Sequence, residues 1–84
     1  MSAPLKLYVK TWCPWCIRAK EYLEKHQYPF EEIDVNHNRA AFDEMILLSG
    51  QTYAPTLVAD GKILADFGPE ELENFLKTEC IQPG

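Results

Sequence analysis

Leu5, Leu7 and Val9 alternate with Lys6, Tyr8 and Lys10, the period-two pattern of a strand with one face turned inward. From Pro14 to about Gln27 the period changes. Cys16, Ala19 and Leu23 fall on one face of a helix, and Pro29 blocks its continuation. Phe30 to Val35 alternates again, with Phe30, Ile33 and Val35 as the expected inward set, although Glu31-Glu32 disturbs the period. Asn36-His37-Asn38 is loop and N-cap material. Arg39 to Ser49 then carries Phe42, Met45, Ile46 and Ser49 at helical spacing, and Gly50 is a natural stop. Thr56 to Asp60 is a short strand, Asp60-Gly61 a hairpin signal, and Lys62 to Ala65 the return strand. Gly68-Pro69 opens a last helix with Glu70 and Glu71 at its positive end and a stripe of Leu72, Phe75 and Leu76. The order βαβαββα predicts an α/β domain with a four-stranded mixed sheet flanked by helices. Its first βαβ unit should be parallel and right-handed. No repeat, linker or low-complexity segment is visible.

Composition narrows the class. The chain has 84 residues, 46% of them hydrophobic, enough for one compact core and one domain over residues 1–84. A net charge of −5 argues against a nucleic-acid or anionic-membrane surface, so no nucleic acid and no membrane are expected as partners. Three cysteines are too few for a disulfide scaffold. Met1 to Lys6 has no apolar signal region, and no apolar run approaches the ~20 residues of a membrane span. The expectation is a soluble, cytoplasmic protein of a reducing compartment, where paired cysteines are catalytic or metal-binding.

Those paired cysteines are Cys13 and Cys16, in the run Trp12-Cys13-Pro14-Trp15-Cys16 between the first strand and the first helix. A thiol at a helix N-terminus faces unpaired N–H groups and the positive end of the macrodipole, and both favour thiolate. Such sites hold a cysteine well below the free value of about 8.5. Cys16 follows nearly one turn later, close enough to attack a mixed disulfide formed at Cys13. Pro14 is at ease in the first turn, where its missing N–H leaves no bond unmade. Zinc is the competing reading, but it needs two further ligands. Cys80, His26 and His37 are the candidates, and none forms a second closely spaced pair. A cluster-bridging role is a third alternative. The expectation is therefore a redox dithiol with no metal ligands.

These pieces resemble a known family. Lys10-Thr11-Trp12-Cys13-Pro14-Trp15-Cys16, Arg18-Ala19-Lys20, Phe30 to Val35, Ser49-Gly50 and Thr52-x-x-Pro55-Thr56 together resemble a glutaredoxin over nearly the whole chain. The resemblance implies a thioredoxin-type fold and thiol–disulfide exchange, with Cys13 as attacking thiolate and Cys16 as resolving thiol. It implies a cis-proline at Pro55, and a backbone at Ala54 that pairs with the cysteinyl part of glutathione. Lys10 and Gln51 match positions that reach the glycyl carboxylate of glutathione. Thr11, Trp15, Asp66 and Phe67 complete the implied glutathione and substrate site, with Trp15 as a groove wall. Glutathione would be the reducing co-substrate, with no cofactor bound tightly. Disulfide-containing proteins would be the substrates, and the chain a monomer.

Two stretches depart from that pattern. Tyr53-Ala54-Pro55 replaces the usual Thr-Val-Pro, and Ala65-Asp66-Phe67-Gly68-Pro69-Glu70-Glu71 replaces a Gly-Gly followed by an acidic pair. Pro69 also removes a backbone donor. These stretches resemble the small glutaredoxin-like redoxins that feed electrons to ribonucleotide reductase and are recharged by thioredoxin reductase. A non-catalytic metal- or cluster-binding module is the alternative from another class. Among the remaining residues, Trp12 reads as core or groove wall, Arg39 as a weaker site candidate, and Cys80 as a half-buried apolar residue. The adjacent Leu47 and Leu48 cannot both reach the core.

Overall fold

The computed structural model describes residues 5–59, 61–79 and 81. The sequence readings of Asp60 and Cys80 lie outside the described residues. The elements are β1 (Leu5–Val9), α1 (Pro14–Lys25), β2 (Phe30–Asp34), α2 (Arg39–Ser49), β3 (Thr56–Ala59), β4 (Lys62–Ala65) and α3 (Pro69–Thr78). The sheet order is β2-β1-β3-β4. β1 and β2 are parallel, with Leu5 opposite Phe30 and Val9 opposite Asp34. β3 runs antiparallel to both β1 and β4. The predicted βαβαββα order and mixed sheet are therefore present, with ends that differ by a residue or two.

Local chemistry accounts for the helix boundaries. Cys13 is the N-cap of α1, its sulfur accepting the Cys16 N–H at 3.1 Å, and Pro14 follows in the first turn. The helix ends at Lys25 rather than Gln27, which already has the left-handed backbone (φ 60) that turns the chain toward Pro29. Asn38 caps α2 by accepting the Ala41 N–H at 3.1 Å. Gly50, at φ 73, ends it in the left-handed conformation glycine tolerates best.

The sheet has a core on each face. On one, Leu5, Leu7, Val9 and Leu57 pack with Cys16, Ala19 and Leu23 of α1 and Leu72 and Leu76 of α3. On the other, Tyr8 and Val35 pack with Ala41 and Met45 of α2. This corrects two readings. Tyr8, grouped with the outward polar positions, is fully buried, and its hydroxyl donates to the Glu44 carboxylate on α2. Burial first, and then Glu44, push the Tyr8 phenol well above its ordinary value. Phe30 also faces the opposite core from Ile33 and Val35. β1 is an interior strand, and α2 covers the face that carries Tyr8, although Lys6 at the start of that face stays exposed. The α2 stripe is shifted as well: Ala41 and Met45 are buried, while Phe42 is only partly covered.

Candidate active site

The β1–α1 turn carries both cysteines. Cys13 and Cys16 form a disulfide with Cα atoms 5.1 Å apart. Cys16 is only 3% exposed and belongs to the core, whereas Cys13 is half-buried at the surface. The N–H of Cys16 points at the Cys13 sulfur, which rewards a negative sulfur there when the bond is reduced. Cys13 is the more accessible of the two sulfurs, with Cys16 behind it in the core.

A second loop faces this turn. The Ala54–Pro55 bond is cis, as the resemblance implies, and the Ala54 carbonyl oxygen lies 3.9 Å from the Cys13 sulfur. Pro55 is buried, and its carbonyl accepts the Asp66 N–H at 3.0 Å, tying this loop to the end of β4. Gln51 braces the loop from within. Its side-chain NH2 reaches Ser49 Oγ (3.2 Å), the Tyr53 carbonyl (3.0 Å) and Thr56 Oγ1 (3.2 Å), and its Oε1 accepts the Tyr53 N–H. The amide expected to reach out to a carboxylate is thus engaged in shaping the loop.

One cavity includes Lys10, three residues before Cys13, and another includes Trp15, two residues after it. On the α2 side, a cavity of about 530 Å³ is lined by Lys10, Val35, Asn36, His37, Asn38, Arg39 and Phe42. Lys10 Nζ stands 5.8 Å from the Phe42 ring centroid. The Thr11 N–H donates to Asn36 Oδ1 at 2.6 Å, so Thr11 holds the turn through its backbone and its side chain stays exposed. His37 pairs with Asp34 at 2.8 Å, and this bond holds the Asp34 carboxyl below its ordinary value. Arg39, the weaker candidate from sequence, shares the cavity with Lys10 and pairs with Asp43 at 3.1 Å.

On the α3 side, Trp15, Asp66, Phe67, Gly68 and Glu71 line a smaller cavity of about 160 Å³. Trp15 is 50% exposed, with the Arg18 guanidinium 5.1 Å from its ring centroid. A Cβ at Gly68 would sit 3.2 Å from Trp15 Cζ3, so the absence of a side chain there lets the indole approach the start of α3. Phe67, expected to contact a ligand, is mainly a core residue. Asp66 is exposed at the rim with φ 53. By sequence Glu71 is only a favourable first-turn charge. Its Oε1 in fact accepts the Gly68 N–H at 2.7 Å, and the Gly-x-x-Glu spacing was the available signal for that contact.

An accessible sulfur at a helix start, a buried partner sulfur behind it and a proline loop across from both make a thiol–disulfide exchange centre on a thioredoxin-type fold. Comparison with known proteins agrees. The family model described as Glutaredoxin matches residues 5–64. An uncharacterized glutaredoxin-like 8.6 kDa protein in the rubredoxin operon of Clostridium pasteurianum is 32% identical over 73 residues, covering 87% of this chain and 97% of that one. Glutaredoxin 3 of Escherichia coli is 37% identical over 60 residues, 71% of this chain and 72% of its own. Among solved structures, a thioredoxin-like protein superimposes with a TM-score of 0.80 at 32% identity, over 86% of this chain and 97% of that one. The glutaredoxin-like NrdH-redoxin of Escherichia coli shares the fold, with a TM-score of 0.75 at 21% identity over 98% and 99%. The chain belongs to the glutaredoxin family and is a thiol–disulfide oxidoreductase with a Cys13/Cys16 dithiol.

Proposed function

We propose that this chain uses glutathione to reduce protein disulfides and glutathione mixed disulfides. The observation that carries the reading is the open backbone edge at Ala54 beside the Cys13 sulfur, at a distance of 3.9 Å. A cysteinyl group could lie along it with its own sulfur in line for exchange. Lys10 and Arg39 in the neighbouring cavity suit a terminal carboxylate. Cys13 thiolate attacks one sulfur of the substrate disulfide, and the other sulfur leaves as a thiolate and takes a proton. Cys16 gives up its proton and attacks the Cys13 sulfur, releasing the second substrate thiol and closing the Cys13–Cys16 disulfide. One glutathione thiolate reopens it as a mixed disulfide at Cys13, and a second releases oxidised glutathione. With a glutathione mixed disulfide as substrate, Cys13 alone suffices. The chain acts in this reading as a cytoplasmic monomer. No helix among the described residues is long and apolar enough to cross a membrane.

One feature favours a second reading, reduction by thioredoxin reductase with a protein such as ribonucleotide reductase as acceptor. At the start of α3 the Gly68 N–H is already bonded to Glu71, and Pro69 has no N–H to offer. Two donors that a glutathione γ-glutamyl end would use are therefore withdrawn. Parallel turnover assays separate the readings: glutathione, glutathione reductase and NADPH in one, thioredoxin reductase and NADPH in the other. Turnover with glutathione supports the first reading, and turnover confined to thioredoxin reductase overturns it.

A further inference from the structure

The Trp12 side chain belongs to neither core. It is 93% exposed, and among the exposed large apolar residues Trp12 is the one adjacent in sequence to the reactive cysteine. Its backbone is also left-handed, with φ 62. That region disfavours a bulky side chain, and a residue held there points to a constraint other than local stability. Asparagine or glycine would adopt the turn more easily. Across the dithiol, Tyr53 is 62% exposed and precedes Ala54, whose carbonyl lies beside Cys13. Two large aromatic side chains therefore stand in solvent on the two segments that converge on the reacting sulfur.

We propose that Trp12 is the anchor by which this protein docks polypeptide disulfides, its indole entering an apolar pocket next to the partner's disulfide, with Tyr53 as the opposing contact. The occupant is a polypeptide because the surface is continuous with the dithiol that every substrate must meet. Trp12 lines neither of the two cavities, so a small disulfide held in one of them leaves the indole in water. Only a partner extending past the sulfur covers it. Tryptophan and tyrosine are the residue types that most often dominate such contacts, each ring covering 150–250 Å². The proposal rests on dithiol exchange at Cys13 and is independent of the reductant.

The test uses prereduced, desalted protein and needs no reductant. Oxidation of the dithiol by insulin and by 2-hydroxyethyl disulfide is followed by acid quench, alkylation of free thiols and mass spectrometry of this chain, which reads the thiols left on it, for the parent, Trp12→Gly and Trp12→Phe. The ratio of the insulin rate to the small-disulfide rate is expected to fall about tenfold or more in Trp12→Gly and to stay within about threefold of the parent in Trp12→Phe. Glycine suits the backbone at this position, so the melting temperature of Trp12→Gly should not fall. An unchanged ratio would overturn the proposal, including the case in which both rates fall together, because Trp12 would then be acting on Cys13 itself. A clear drop in melting temperature would overturn it too, by assigning Trp12 to the fold. If the parent is oxidised by neither disulfide, the failure lies in the exchange chemistry and not in the anchor.

Discussion

Replacing Tyr8 with phenylalanine removes one oxygen and leaves the packing of a fully buried ring intact. The lost interaction is the hydroxyl's bond to the Glu44 carboxylate, which ties β1 to α2. Hydrogen bonds to charged groups contribute about 1.5–3 kcal/mol. Glu44 is exposed and regains water when the hydroxyl goes, so the low end applies. Tyr8→Phe should cost about 1.5 kcal/mol at pH 7, or roughly 6–12 °C in a domain of this size. The pH dependence sharpens the test. The folded state holds the Tyr8 phenol neutral above its ordinary value, mainly by burial, while the unfolded phenol ionises near pH 10. The stabilisation is complete below that pH and is lost as pH rises, by up to about 1.4 kcal/mol per unit. The gap between parent and Tyr8→Phe should hold from pH 7 to 9 and close near pH 11. Urea titrations of both proteins across that range measure it directly, and ionisations common to both cancel. A gap of zero at pH 7, or one that persists unchanged at pH 11, would refute the account of Tyr8 as a buried donor to Glu44.

Other outcomes follow from the site. Cys13→Ser should abolish all exchange, while Cys16→Ser should keep reduction of glutathione mixed disulfides and lose dithiol reduction of proteins; mass spectrometry of trapped mixed disulfides distinguishes them, and the reverse pattern would invert the roles. Glu71→Ala frees the Gly68 N–H, and should destabilise α3 by about 0.5–1 kcal/mol while lowering the KM for glutathione in the coupled assay. An unchanged KM would mean that the start of α3 takes no part in binding it. His37 holds the Asp34 carboxyl below its ordinary value, so this pair stabilises the fold above the usual carboxylate range and the effect fades as pH falls. Asp34→Asn should therefore flatten the acid limb of a melting-temperature profile, and identical profiles would remove the pair from the account.

Much of this molecule is written in short-range pattern. Strand and helix periods, Pro14 and Pro69 at helix starts, Asn38 as a cap and Gly50 as a stop act between residues a few positions apart, so they predicted the element order without any knowledge of the fold. The dithiol was legible for the same reason: Cys13, Pro14 and Cys16 lie within one turn, and a helix N-terminus needs no distant partner to favour a thiolate. What surrounds the dithiol was decided by tertiary structure. Tyr8 is buried because the order β2-β1-β3-β4 makes β1 an interior strand and α2 covers the face that carries Tyr8, which alternation within one strand cannot reveal. Arg39 joins Lys10 in one cavity because α2 starts beside the end of β1. Glu71 meets Gly68 within a single turn, but Trp15 packs beside them only because α1 and α3 share one face of the sheet. Such contacts depend on strand order and on which face each helix covers, and those are properties of the whole chain.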